Sequence, residues 1–345
     1  MDSTFFQKNE YLGLAKFYKD SPRNLNQKNA FNMADCEIIQ LQKNHFLSIS
    51  TDSIAIEIHS GLYRDPETWG YLAVANSASD LATTGAKPLG MLISAQWKKE
   101  HGSFVKTKVY AAMAKALKKF HIPLLGGDSG SSSETVITTT ILGESSVSPL
   151  TRQGVQPGDL ILCFGRLIGI GPALAYDYLK YKSINQWEKK FRPYPDWRIV
   201  YKFMKYFKAS IDSSDGIYSA LETLATINSV QFEICDNDLV LSTSVKTYQS
   251  KNKIPMKYFI ESDLGDLQTC VAIHPRVYAR IKRQLPFHQI MAIAKKKNVF
   301  NDTAICYAQK KPIVHYQSLP TILERNGLKY SAALNQWLSQ FEKSL

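Results

Sequence analysis

Apolar residues recur along this chain with two different periods, and the switches between them mark out its elements. In HFLSISTDSIAIEIHS (45–60) apolar and polar positions alternate, with Ile54, Ile56 and Ile58 on one face and Ala55, Glu57 and His59 on the other, as in a half-buried strand. DPETWGYLAVANSASDLATTGAKP (65–88) changes to helical composition rich in Ala and Leu, with Gly85 as a stop and Pro88 barring continuation. PLGMLISAQW (88–97) reads as the next strand. Ser103 then caps a helix whose apolar stripe is Val105, Val109, Ala112, Met113, Ala116, Leu117 and Phe120. IPLLGGD and TVITTTILGE supply strand material on either side of LLGGDSGSSS (124–133), which reads as a glycine-rich loop. The order β-α-β-α-β-β over 45–145 predicts an α/β domain with helices covering a sheet.

LTRQGVQPGD (150–159) is polar and turn-rich, and divides the chain into residues 1–150 and 151–345. Beyond it come a strand LILCF (160–164), a glycine-spaced turn GRLIGIGPAL (165–174) and a helix entered through Pro172. QFEIC (231–235) and QTCVAIH (268–274) read as further strands between helical segments. The tail, from Pro320 to Phe341, reads as a terminal docking helix.

With 345 residues, 44% of them hydrophobic, the chain can bury two cores. No run approaches the roughly 20 apolar residues of a membrane span, and the N-terminus lacks a signal-peptide stretch, so a soluble, cytoplasmic protein is expected. Five scattered cysteines without a CxxC support neither a zinc site nor a disulfide framework; Cys163 and Cys270, inside apolar runs, read as small buried hydrophobes. The net charge of +12 raises the question of nucleic acid, but the lysines are dispersed and AKKKNVF (294–300) is the one tight run. A solvated surface suited to phosphorylated small molecules is the reading adopted, with no nucleic acid and no membrane as partners.

The chemistry lies in aspartates placed where elements end, beside Gly, Ser or Thr: Asp52 in ISTDS, Asp80 in SASDLATTG, Asp128 in LLGGDSG, and Asp212 and Asp215 in SIDSSDGI, with Asp35 and Asp266 less clear. Carboxylates converging from several loops suit a Mg2+–nucleotide site, and neighbouring glycines let a phosphate approach the backbone. Each also has a plainer role. Asp215 would serve as a helix N-cap, and Asp52 and Asp128 as turn residues. Gly165, Gly169 and Gly171 form either a phosphate-binding turn or a tight strand-to-helix connection. His59 is either a ligand contact or structural. No GxSxG, HExxH or Walker A pattern is present.

In order, STDSI, SDLATTGAKP, LLGGDS, LTRQGVQPGDLIL, FRPYPDWRI and SIDSSDGI resemble the motifs of thiamine-monophosphate kinase, within the aminoimidazole ribonucleotide synthetase-like (PurM-like) superfamily. The resemblance runs from about Asp35 to Ile273. It implies a two-domain α/β fold: an N-terminal domain whose sheet pairs with its twin in a homodimer to form a β-barrel, and a C-terminal α/β domain. It further implies ATP and Mg2+ as cofactors and a small phosphorylated substrate. Metal ligands carried over are Asp35, Asp52, Asp80, Asp128 and Asp215, with Asp128 and Asp215 also placed as catalytic. Gly126, Gly127, Ser129, Arg152 and Thr51 are the implied nucleotide or phosphate contacts.

Three places depart from that pattern, one of them the asparagine before SDL, which aligns with Ser77 while Asn76 sits one place off. The early GDD motif reads MAD (33–35), and the late GGEDYEL reads DLGDLQT (263–269), keeping only Asp266 for its aspartate. The expected activity is ATP- and Mg2+-dependent phosphoryl transfer to thiamine phosphate. Open beside it stand a related enzyme with another small acceptor, and a degenerate relative that binds nucleotide without turnover.

Overall fold

A computed structural model describes residues 16–165, 169–181, 186–234, 240–297, 304–307 and 339. Its first half is a five-stranded sheet of β1 (Glu37–Gln42), β2 (His45–Ser53), β3 (Lys87–Lys98), β4 (Leu124–Ser132) and β5 (Val136–Ser145), in the order β1-β2-β5-β3-β4. All neighbours are antiparallel except β3 and β4. The helices α1 (Ala55–Ser60), α2 (Pro66–Thr84) and α3 (Ser103–Phe120) belong to this half. Burial along β5 alternates residue by residue, so one sheet face is packed and the other is open. Leu47, Ile49, Leu92 and Leu142 stand on that open face, with Leu92 42% exposed.

The second half is a six-stranded sheet of β6 (Leu160–Phe164), β7 (Ala209–Asp212), β8 (Val230–Ile234), β9 (Thr269–Ile273), β10 (His288–Lys296) and β11 (Ile305–Tyr307), ordered β11-β8-β10-β6-β9-β7. It carries α4 (Ile170–Tyr181), α5 (Trp197–Phe203), α6 (Gly216–Asn228), α7 (Thr243–Lys251), α8 (Tyr258–Glu261) and α9 (Pro275–Ile281). One face of its core joins the large hydrophobic cluster of the molecule; the other holds Leu162, Phe164, Val200, Phe203, Val271 and Ile273.

Helix α2 is the joint between the halves. Asp65 caps it, accepting from the Glu67 N–H at 3.1 Å, and Gly85 ends it at φ 73°, as its sequence predicts. It is buried almost all round, because it packs on α3, β2 and β5 on one side and on α5, β7 and β9 on the other. The Ser210 hydroxyl donates to the Thr83 carbonyl at 2.6 Å across that junction. Helix α3 buries the predicted stripe from Val109 to Phe120 and half-buries Val105, although Gly102 rather than Ser103 occupies its cap.

Three expectations are corrected. The alternating pattern does not continue as strand past Ser53: residues 55–60 form α1, in which Ile54 and Ile58 face inward at helical spacing while Ile56 is 81% exposed. LLGGDSGSSS is not a loop but β4, an edge strand running parallel to β3. Its glycine at 127 answers to close pairing, since a Cβ there would lie 1.9 Å from the Ile93 carbonyl oxygen. Finally, Cys163 and Cys270 are joined by a disulfide. They are 107 residues apart in sequence but directly opposed in the β6–β9 ladder, a proximity that sequence spacing does not reveal. Cys235 and the expected tail helix lie outside the described residues. No described helix is long and apolar enough to cross a membrane.

Candidate active site

The junction gathers five carboxylates from five elements. Asp35 comes from the turn before β1, Asp52 from the end of β2, Asp80 from the C-terminal half of α2, Asp212 from the last position of β7 and Asp215 from the N-cap of α6. Oxygens of Asp35, Asp80 and Asp212 lie within 4.8 Å of one another, and Asp52 is hydrogen-bonded to Asp80. Hydroxyls steady the group: Ser50 donates to Asp80, and Ser79 to Asp212 at 2.6 Å. Arg152 donates from Nε to Asp35 at 3.2 Å and from Nη1 to the Asn32 carbonyl at 3.1 Å. A cavity of about 230 Å³ opens beside them, walled by Asn32, Arg152, Asp212, Asp215 and Thr223.

This arrangement is electrostatically unfavourable as it stands. Burial raises the pKa of Asp52, Asp80 and Asp215 above the usual carboxylate range and lifts Asp212 to about 7, with the neighbouring aspartates adding to each shift. For Asp215 the Arg152 guanidinium works against the rise. The Asp35 Oδ2 is buried without a hydrogen-bond partner. Close, partly dehydrated carboxylate oxygens with one left over match a hard divalent cation such as Mg2+, which would neutralise the repulsion and take up the orphaned oxygen. The N-cap alternative for Asp215 finds no support: it occupies that position, but its side chain makes no cap hydrogen bond.

The sequence shows Asp212 among the aspartates without assigning it to the metal set; its oxygens lie with those of Asp35 and Asp80, close enough to share one ion. Other expected contacts stand apart. Across the first sheet the ladder runs Asp52, Thr139, Ile93, Gly127, so the β4 end of it is three strand spacings, roughly 14 Å, from the Asp52 backbone. Asp128 pairs with Ser94 on the open face, the face opposite Asp52. Thr51 and Gly126 share that open face, and Thr51 donates to the Thr139 carbonyl at 3.2 Å. Ser129 points the other way, accepting from Trp97 Nε1 and the Tyr110 hydroxyl at 3.0 Å each. A single protomer therefore unites Asp35, Asp52, Asp80, Asp215 and Arg152 but not Asp128, Ser129, Thr51, Gly126 or Gly127.

The glycine-spaced turn before α4 is already filled. The N–H groups of Gly169 and Gly171 donate to the Asp266 carboxyl at 2.6 and 2.8 Å, so the protein's own side chain occupies the place where a phosphate would sit, with burial lifting its pKa to about 7. Asp266 is thus a structural brace for α4. His59 is largely exposed, with Nδ1 3.7 Å from Glu134.

Residues 33–145 match the family model for the AIR synthase related protein, N-terminal domain. A thiamine-monophosphate kinase of Buchnera aphidicola subsp. Schizaphis graminum is 30% identical over 221 residues, 62% of this chain and 68% of its own length. This chain belongs to the thiamine-monophosphate kinase family. Another member, from Buchnera aphidicola subsp. Acyrthosiphon pisum, is 27% identical over 312 residues, covering 86% of this chain and 90% of its own. The solved structure of AaThiL complexed with AMPPCP and TMP has the same fold, with a TM-score of 0.71 at 22% identity over 86% of this chain and 92% of that one. In thiamine-monophosphate kinase terms, the matched segment carries Asp35, Asp52, Asp80 and Asp128, while Asp212 and Asp215 come from the second half.

Proposed function

We propose that this chain transfers the terminal phosphoryl group of ATP to thiamine monophosphate, giving thiamine diphosphate and ADP. The name of its curated relatives and the pair of ligands in the AaThiL complex support the reaction. The observation that carries it here is the convergence of Asp35, Asp80 and Asp212 within 4.8 Å. Asp35, Asp52, Asp80, Asp212 and Asp215 would hold Mg2+, which supplies charge neutralisation to the phosphates when bound. Arg152, facing the cavity beside Asp215, is placed to meet a phosphate oxygen. Phosphoryl transfer requires positioning and charge compensation rather than a covalent nucleophile, which fits a site without an activated Ser, Cys or His.

The first sheet supports a homodimer. Its open face carries Leu47, Ile49, Leu92 and Leu142, and β4 leaves one edge unpaired with Leu124 and Leu125 exposed. Closing two such sheets on each other covers both features. Asp128, Thr51 and Gly126 then reach a nucleotide from this interface side, as contributions of a second copy. A cytoplasmic location goes with the reaction.

Product analysis tests the reading: Mg-ATP and thiamine monophosphate incubated with the protein yield thiamine diphosphate by mass spectrometry, and omission of either abolishes it. ATP consumption that never yields thiamine diphosphate would sink this acceptor. One observation favours an alternative acceptor. Position 265, where the late motif of the kinases carries its glutamate, is Gly265 here, and a Cβ there would lie 1.5 Å from the Ser213 carbonyl oxygen. No side chain can stand at that place, so any acceptor is recognised without it.

A further inference from the structure

A cavity of about 370 Å³ lies at the ends of β6 and β9, under the segment leading into α5, and none of the five clustered aspartates lines it. Its walls are flat and apolar: Phe164, Pro193, Tyr194, Pro195 and Phe287, with Tyr194 40% and Phe287 44% exposed at the rim. Two carboxylates border it, and both are spoken for. Asp266 accepts from the Gly169 and Gly171 N–H groups, and Asp196 caps α5 and accepts from Arg198.

Gln268 is the exception. Its backbone is clamped on both sides by Ser213: the Gln268 N–H donates to Ser213 Oγ at 3.0 Å, and its carbonyl accepts the Ser213 N–H at 2.9 Å. The residue is 6% exposed, yet neither Oε1 nor Nε2 has a hydrogen-bond partner. The amide lies against the cavity wall at Gly165, where a Cβ would sit 3.1 Å from Nε2. A buried amide without partners is costly and rare in folded proteins, and its usual explanation is a group that completes it.

The chemistry of that group follows from the walls. One edge of a side-chain amide presents an N–H donor beside a carbonyl acceptor, so the complement of that edge is a planar group with an acceptor beside a donor, as on an adenine ring. Aromatic and proline faces take such a ring by stacking. The absence of an uncommitted charge among the described lining residues selects an uncharged ring. We propose that this cavity is a second small-molecule site, separate from the acidic cluster, that takes an uncharged purine or pyrimidine nucleobase read by the Gln268 amide. It stands independently of the phosphoryl-transfer reading.

Calorimetric titration with adenine and with cytosine, in the presence of saturating Mg-ADP, tests this. Binding of at least one base is expected, weakened about tenfold or more in Gln268→Leu, which keeps the bulk and removes both hydrogen bonds. Because the substitution also removes an unpartnered amide, thermal stability of Gln268→Leu stays level or rises, so a folding defect is not the source of the loss. Ile199→Phe, which fills the cavity from α5, abolishes binding as well. No binding by the wild type, equal binding by Gln268→Leu, or displacement of the bases by Mg-ADP would each overturn the proposal. Kinase turnover is measured separately, so its presence or absence leaves these outcomes legible.

Discussion

Asp80 occupies an unfavourable place twice over: it lies in the C-terminal half of α2, near the negative end of the helix dipole, and it is buried beside other carboxylates. A residue kept for stability would not be a carboxylic acid there. Asp80→Asn is therefore predicted to abolish phosphoryl transfer while leaving the melting temperature of the metal-free protein level or higher, because the amide has no buried charge to form. Calorimetry in EDTA, beside an assay of thiamine diphosphate, checks both halves; a lower melting temperature would make Asp80 structural. At this scale the sequence announces the aspartates through their position at element ends. It does not announce which of them meet, because that depends on strand parity. Asp52 and Thr51 are neighbours in the chain and point to opposite faces of β2, one to the cluster and one to the open side. Asp212 is legible only once β7 is known to end beside α2.

Among elements, α2 and α3 were written clearly, by composition, stop signals and apolar stripe. β4 was not, because glycines and serines carry no strand propensity and the pairing with β3 is set by distance rather than by side chains. Gly127→Ala is predicted to loosen that pairing, since the new Cβ meets the Ile93 carbonyl oxygen at 1.9 Å. The expected loss is about 1–3 kcal/mol, read as a lower denaturation midpoint. Hydrogen exchange would show faster exchange along β3 and β4; unchanged protection there would mean that the strands tolerate the side chain. The misreading of 54–60 has a related cause. Ile54 and Ile58 satisfy both a two-residue and a helical period, and what decides between them is that β2 has run out of partner: Ser53 is its last residue paired with β5.

For the whole molecule, the acidic cluster couples folding to protons and cations. Asp212 titrates near 7 when folded, and burial raises Asp52, Asp80 and Asp215 too, so between the unfolded carboxylate range and those values the folded chain binds more protons than the unfolded one. Their contribution is intact at low pH and is lost as pH rises through the folded pKa. In EDTA, this term favours the fold at pH ~5 over pH ~8, and the slope of stability with pH is predicted to flatten in Asp212→Asn. Mg2+ added at the higher pH should restore stability to the wild type and less so to the variant. A wild-type pH slope equal to that of Asp212→Asn would remove the cluster as its source. The placement of Asp128 on the open face makes another prediction at this scale. Asp128→Asn and Asp80→Asn proteins, each inactive, regain activity when unfolded and refolded together, to about a quarter of wild type if each site takes residues from two copies. No recovery on mixing would confine the site to one copy or exclude Asp128 from it.

Helix α2 carries a last consequence, for how the chain can be divided. Its sequence belongs to the first half, but one of its sides is finished by α5, β7 and β9 of the second. Cutting at residue 150 would leave Thr83 and the helix surface around it bare to water, and would part Asp80 from Asp212. The two halves are thus separable in topology and not in autonomy: fragment 1–150 expressed alone is predicted to bind hydrophobic dye and precipitate, and to become soluble when 151–345 is co-expressed from a second reading frame.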